Sequence, residues 1–402
     1  MSKPTVRALA VCGGTPAFPA PLHVGGPNVG DRRRLHERLD ALLDRRWLTN
    51  RGPLVQELEH ALTQYLGVRH CVAVCNATVG LEVAARALAL RGEVIVPAYT
   101  FVAPAHALRW LGLEPIFCDV DPVTHTIDAK KAAALVTPRT SAVLGVHLWG
   151  RPCDVDALQA LARDAHLRLL FDAAHAFASA SNGTFVGHFG DLEVFSFHAT
   201  KFVNAFEGGA IVTNSDELAE RLRLMINFGF AGYDRVVALG TNAKMSEMSA
   251  AMGLTSLEQV DAFLEVNARN YQAYARELQS LPALRLMTFD PGDRVNLQYI
   301  VVDVARGAAL SRDELVEVLW AEGVRARRYF HPGCHRMEPY ARDPRWRTAQ
   351  LGVTEALCER VMTLPTGTSV SADAVTTICD LLRTALEHAT EVRRALAARR
   401  RG

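Results

Sequence analysis

The chain has no charge of one sign in excess: 44 lysines and arginines stand against 43 aspartates and glutamates, a formal charge of +1. Bulk electrostatics therefore gives no support for nucleic-acid binding, and any anionic ligand has to be held by a local site. No apolar run approaches the ~18 residues of a membrane-spanning helix, and the first ten residues lack the apolar core of a secretion signal. A cytoplasmic protein that does not enter a membrane is expected. None of the eight cysteines forms a CxxC pair. Cys71 and Cys75 stand ~13 Å apart along one strand at ~3.3 Å per residue, too far to bridge. Reduced, mostly buried thiols are expected. Internal repeats and low-complexity linkers are absent as well.

What is there is a soluble globular composition, 49% hydrophobic and 22% charged over 402 residues. Single cores rarely grow beyond ~250–300 residues, so the length predicts two domains. Helical spacing at Leu54, Leu58, Ala61, Leu62 and Tyr65 stops at Gly67, after which short β-rich runs alternate with helical patterns to about residue 215. The runs 71–75, 93–97, 115–118, 142–147 and 168–172 predict parallel strands with crossover helices, an α/β fold with a doubly wound, mostly parallel sheet. A long helix from Ser246 to about Leu278, a strand over Asn296–Asp303, an amphipathic helix from Ser311 and the run Val324–Phe330 predict a smaller α+β domain. The boundary falls at residues 1–260 and 261–402, inside a connecting helix. Arg393, Arg394 and Arg399–Arg401 read as cations near a helix C-terminus rather than as a docking site.

The most informative pair is Lys201 and, 29 positions earlier, Asp172. Singly, a loop lysine is usually solvated, and an aspartate ending an apolar strand is usually the next helix's cap. Together they suggest pyridoxal 5'-phosphate (PLP) chemistry. A lysine amine can hold the cofactor aldehyde as a Schiff base, and a carboxylate facing the pyridine nitrogen keeps it protonated, so that the ring accepts electrons. Asp172 also ends a buried run, where ligands of open α/β sheets bind. A phosphate needs backbone N–H donors and hydroxyls at a turn opening a helix, which Asn76-Ala77-Thr78 supplies after the run ending at Cys75. Ordinary capping uses the same orphan N–H groups, so both readings hold there.

Several ordered motifs carry a wider resemblance: 47–55 (WLTNRGPLV), 96–104 (VPAYTFVAP), 172–177 (DAAHAF), 190–201 (GDLEVFSFHATK), Glu207-Gly-Gly209 and 239–247 (LGTNAKMSE). In these the chain resembles the DegT/DnrJ/StrS sugar aminotransferases, PLP enzymes of the aspartate aminotransferase superfamily, fold type I, that act on nucleotide-linked keto sugars. The resemblance implies that Ser196 also reaches the phosphate and that Phe101 stacks on the pyridine ring, with a core phenylalanine as the competing reading. It implies that His175 stands near the cofactor's phenolic oxygen, where many relatives carry glutamine. It further implies that Asn242 reaches the phosphate from the neighbouring subunit of a homodimer whose active site is shared.

The implied reaction is transamination. L-glutamate is the expected donor, Lys201 the general base, pyridoxamine 5'-phosphate the cofactor form between half-reactions, and ping-pong the kinetics. The expected acceptor is a dTDP-linked 4-keto-6-deoxyhexose aminated at C4, with C3 amination as the alternative. The family's dehydratase branch carries histidine in place of the lysine, so Lys201 favours transamination. A non-catalytic protein on the same fold would have no need of the electron sink. Tyr329, His331 and His335, beside Arg325, Arg327 and Arg328, resemble the family's substrate segment; metal binding by His331, Cys334 and His335 is the rival reading, and no metal is expected. Thr49 lies in a stretch that matches the substrate mouth, or is a plain polar loop. Arg235 ends the glycine-containing segment Gly229–Arg235, a possible loop over the sugar site.

Overall fold

A computed structural model describes residues 5–290, 292–347, 349 and 351–400. Its central sheet has seven strands: β1 (His70–Val74), β2 (Glu93–Pro97), β3 (Glu114–Cys118), β4 (Thr140–Val146), β5 (Arg168–Asp172), β6 (Leu192–Ser196) and β7 (Gly209–Thr213). Their spatial order is β1-β7-β6-β5-β4-β2-β3, and all run parallel except β7, which is antiparallel to both neighbours. The strands read as unbroken apolar runs because both faces are covered: Val94, Ile95 and Val96, like Leu170 and Phe171, have no exposed surface. This is the expected doubly wound sheet. The antiparallel β7 was not foreseen, because the glycine-rich approach Glu207-Gly208-Gly209 gives only a turn signal.

Parallel strands bring their carboxyl ends to one edge. That edge carries Asn76 beyond β1, Thr100 and Phe101 beyond β2, Asp172 at the end of β5 and Ser196 at the end of β6. Gly209 opens β7 at the same edge. A Cβ there would stand 2.8 Å from the Phe195 carbonyl and 2.9 Å from the Ala77 nitrogen, so only glycine lets β7 pass so close to the start of the neighbouring helix.

Two expected elements are shorter than the sequence suggests. The helix over Ser246–Leu278 is broken into Glu247–Leu257 and Val260–Leu278, because Gln259 leaves helical geometry at φ −111, ψ 10. The strand over Asn296–Asp303 begins only at Ile300, since Leu297 adopts φ 52 and the polar side chains flanking it bond elsewhere. The strand Ile300–Val304 is the middle member of a three-stranded antiparallel sheet with Leu284–Leu286 and Val361–Leu364. The helix expected from Ser311 spans Arg312–Ala321 and is opened by a Ser311–Glu314 capping box. All eight cysteines are free. Two of the late arginines close ion pairs, Arg393 with Glu314 and Arg400 with Glu317.

Apolar side chains gather in two clusters. One wraps the large sheet; the other joins Tyr274, Ile300, Leu315, Leu319, Ile378 and Leu382. Leu9 and Val11 enter the second cluster although they begin the chain. Glu322, fully buried, accepts the N–H groups of Ala10 (2.7 Å) and Ala17 (2.8 Å) and ties this N-terminal segment down. Leu22–His23 then pairs with Val324–Arg325, which sends residues 21–27 along the edge of the large sheet. Among the described residues, no helix is long and apolar enough to cross a membrane.

A buried carboxylate also fixes the helix Pro53–Leu66. Glu247, with no exposed surface, accepts the Leu54 and Val55 N–H groups at 2.8 and 3.0 Å, serving as that helix's N-terminal cap from a remote position. Gly52 makes room, since a Cβ there would come within 2.7 Å of the carboxyl carbon. Glu247→Ala should destabilise the fold by about 3 kcal/mol, the scale of two charge-assisted bonds lost to buried donors. Urea unfolding measures this, and a change under about 0.5 kcal/mol would remove the cap from the account.

Candidate active site

One cavity of about 950 Å³ lies along the carboxyl edge of the sheet. Asn76, Ala77, Thr78, Phe101, Asp172, His175, Ser196, Lys201 and Tyr329 all line it, although they come from five separate stretches of sequence. Asn76 caps the helix Ala77–Ala87 by accepting the Val79 N–H at 2.9 Å, which leaves Ala77 and Thr78 in its first turn, where N–H groups have no intrahelical acceptor. The Ser196 hydroxyl stands 3.4 Å from the His198 nitrogen, too long to saturate it. Phe101 is 56% exposed, so it is a wall of the cavity and not a core residue.

Asp172 is nearly buried, and its carboxylate accepts the Ala174 N–H at 2.9 Å. Burial pushes its pKa up, opposed by that bond and by the charge of Lys201. Burial pushes Lys201 the other way, down toward the neutral amine, opposed by the charge of Asp172. The two groups thus act on each other inside the cavity, and each is held closer to neutrality than in water. His175 is buried, its basicity well below ordinary imidazole through desolvation first and Lys201 second. Its ring stacks on Trp149 with centroids 5.8 Å apart and meets the edge of Tyr299 at 5.0 Å. Its Nδ1 is buried and has no partner. Behind it, the Trp149 indole donates to His125 Nδ1 at 3.2 Å, and burial lowers His125 to about 4, so that this ring stays a neutral acceptor.

Five expected site residues do not line the cavity. His335 is one of them: the loop folds back so that its ring has no exposed surface, and Nε2 lies 3.2 Å from Glu355. Cys334 directs its thiol to the Thr100 carbonyl at 3.3 Å, and no three potential metal ligands cluster among the described residues. His331, Thr49, Arg235 and Asn242 are exposed on the surface. The Asn242 side chain accepts from Lys244 at 2.7 Å, and its backbone pairs with Asn227.

Other lining residues had no role assigned from the sequence: the N-terminal segment 21–27, Tyr299 and Ser369, and Thr100, His198 and Glu207 within the quoted motifs. A signal for the first existed in Gly25-Gly26. Cβ atoms there would come within 3.0 Å of the Thr200 carbonyl and 2.7 Å of Ser369 Oγ, so paired glycines marked a close approach of chain to chain. Arg327 is the one arginine in the lining among the described residues. Its backbone exchanges hydrogen bonds with Thr363 (3.1 and 2.9 Å), and its guanidinium lies 5.3 Å from the Tyr329 ring centroid.

Comparison with known proteins gives the same direction. The profile of the DegT/DnrJ/EryC1/StrS aminotransferase family matches residues 30–383. A dTDP-4-amino-4,6-dideoxy-D-glucose transaminase of Shigella dysenteriae is 35% identical over 364 residues, 90% of this chain and 98% of the relative. A GDP-perosamine synthase of Caulobacter vibrioides is 34% identical over 339 residues, 81% and 88% of the two chains. Among solved structures, DesI, crystallised in the presence of its TDP-sugar product, superposes with a TM-score of 0.92 at 51% identity, covering 99% of this chain and all of its own. A match over most of the chain, together with whole-length relatives named as sugar transaminases, establishes that the protein is an enzyme of the DegT/DnrJ/EryC1/StrS aminotransferase family, whose members are PLP-dependent sugar aminotransferases.

Proposed function

We propose that the chain transfers the amino group of L-glutamate to C4 of a dTDP-linked 4-keto-6-deoxyhexose, with PLP as its own cofactor. The observation that carries this reading is the meeting of Lys201 and Asp172 in one cavity, electrostatically coupled, at the carboxyl edge of the sheet. The unfilled polar groups fit the cofactor. A buried carboxylate bonded to Ala174 suits a protonated ring nitrogen, and the partnerless His175 Nδ1 suits the ring oxygen. The N–H groups of Ala77 and Thr78, with the Thr78 and Ser196 hydroxyls, suit a phosphate dianion at a helix N-terminus. Phe101 would lie against one face of the ring.

PLP bound there supplies an aldehyde to take the donor's nitrogen and a protonated ring to spread the charge left at the α carbon. The rest is work for this chain's own side chains. Lys201 Nζ, made less basic by its surroundings, removes the donor's α proton as a neutral amine, and in the second half-reaction returns a proton to C4 of the acceptor. Asp172 would hold the ring N–H and keep it charged. A dehydratase would have no use for this amine, which supports transamination.

C4 regiochemistry is supported by the name of the Shigella dysenteriae relative, matched over nearly its whole length. The test is NMR assignment of the product formed from glutamate and dTDP-4-keto-6-deoxyglucose. Nitrogen at C4 supports the reading, and nitrogen at C3 replaces it with the alternative. Arg327 is proposed to hold a glutamate carboxylate. Arg327→Met should raise KM for glutamate roughly 10- to 100-fold, the scale of one charge-assisted pair, with KM for the nucleotide sugar little changed. A rise confined to the nucleotide sugar would reassign the guanidinium to the diphosphate.

A homodimer is part of the same proposal. Leu43, Trp47, Leu48, Phe228, Phe230, Val236, Val237, Leu239 and Met248 are large apolar residues left exposed, more than a monomer normally presents in neighbouring segments. Thr49, Arg235 and Asn242 belong to those segments, so each would act in the partner's cavity. The division into a cofactor-binding unit over 1–260 and a smaller unit over 261–402 is proposed likewise, with the N-terminal segment packed on the smaller core.

A further inference from the structure

Asn296 and Gln298 are buried, 1% and 4% exposed, just before the middle strand of the small sheet. Asn296 Nδ2 donates to the carbonyls of His175 (2.8 Å) and Phe177 (2.9 Å), in the loop that follows Asp172. Gln298 Nε2 donates to the Thr200 carbonyl at 2.8 Å, the peptide joined to Lys201. One tripeptide thus grips both loops. The ladder between β5 and β6 ends at Asp172 opposite Val194, so beyond it no sheet pairing fixes the two loops to each other.

The grip is itself braced. Asn296 Oδ1 accepts the Gln298 N–H at 3.0 Å, and the Asn296 carbonyl accepts Asn267 Nδ2 at 2.8 Å. Asn267, fully buried on the helix Val260–Leu278, accepts in turn from Thr366 at 3.2 Å. Leu297, between the two amides, sits at φ 52, a left-handed conformation unfavourable for a non-glycine residue, which bonds on both sides must offset. Room for the Asn296 amide comes from Gly150, where a Cβ would lie 2.6 Å from Oδ1.

We propose that Asn296 and Gln298 are positioning residues for transamination, setting the separation of the Lys201 amine from the Asp172 carboxylate by clamping the loops that carry them. Tyr299, next in sequence, is delivered to the cavity wall by the same turn. The proposal rests on the roles of Lys201 and Asp172 given above, and adds the groups that hold them in register. Because Lys201 acts in both half-reactions, loss of the clamp must slow both alike.

Gln298→Met preserves length and apolar bulk while deleting the donor to Thr200. PLP-loaded Gln298→Met should show both half-reactions slowed by about 10- to 100-fold, the cost of sub-ångström misplacement of a reacting group. The pH midpoint of the lysine-linked visible absorbance should shift, and KM for the nucleotide sugar should stay within about two-fold of wild type, since no substrate contact is removed. Asn296→Leu, which acts on the other loop, should reproduce the pattern if the first variant is poorly soluble. Wild-type rates with an unmoved midpoint, or a defect confined to KM or to one half-reaction, would overturn the clamp. Absence of lysine-linked absorbance from the wild-type protein would instead defeat the reading of Lys201 on which it rests.

Discussion

Lys201→Ala should lower amino-sugar formation by at least about 10⁴-fold, the upper range for loss of a positioned acid–base group, with the covalent attachment lost in addition. The protein should still fold and still take up PLP through Asp172, His175 and the helix N-terminus, but without the lysine-linked absorbance band. Single-turnover measurement of glutamate deamination isolates the step. A residual rate within ten-fold of wild type would show that the base is another group. The large effect follows from the cavity itself: among the described residues no other lysine lines it, so none there stands by to replace the amine.

Asp172→Asn should cost about 10²–10³-fold in kcat, because an amide neither carries the charge that favours a ring N–H nor stabilises it electrostatically. Its effect on the cofactor-free protein should have the opposite sign. Burial raises the Asp172 pKa in the folded state, so the folded chain binds more protons than the unfolded one above the ordinary carboxylate range. Wild-type stability therefore falls as pH rises from about 4 through the folded-state value, and the asparagine variant lacks this loss. Thermal melts of the cofactor-free proteins should place the variant at or above wild type at pH 7, with the gap closing toward pH 4. A variant both fully active and less stable at neutral pH would remove Asp172 from the chemistry and make it a structural residue.

What the sequence makes legible follows from the range of the interactions involved. Strands such as Glu93–Pro97 and Arg168–Asp172 coincide with their expected limits because burial on both faces writes an apolar run, Val94-Ile95-Val96 and Leu169-Leu170-Phe171, between polar or turn-forming ends. Asp172 and Lys201 are legible through the chemistry they imply jointly. The N-terminal wall at residues 21–27 and the Asn296–Gln298 clamp are not, since each acts on residues more than 90 positions away and no local period records that. The clamp was hidden further by alternating with apolar neighbours, which made Asn296–Tyr299 look like more strand. The burial of His335 was hidden for a related reason: a histidine in a polar, arginine-rich stretch looks available, and only the folded loop places it against Glu355. Glu247 stood in a recognisable motif without a role until the helix start at Leu54 came beside it.

The central claim is that one amine in this cavity takes the cofactor. Borohydride reduction of the PLP-saturated protein followed by peptide mapping tests it directly, because reduction makes the lysine linkage permanent. The account predicts a single pyridoxyl label on the peptide carrying Lys201, abolished by prior addition of excess glutamate. Labelling of Lys130, Lys131 or Lys244 in its place, or no label at saturation, would contradict it.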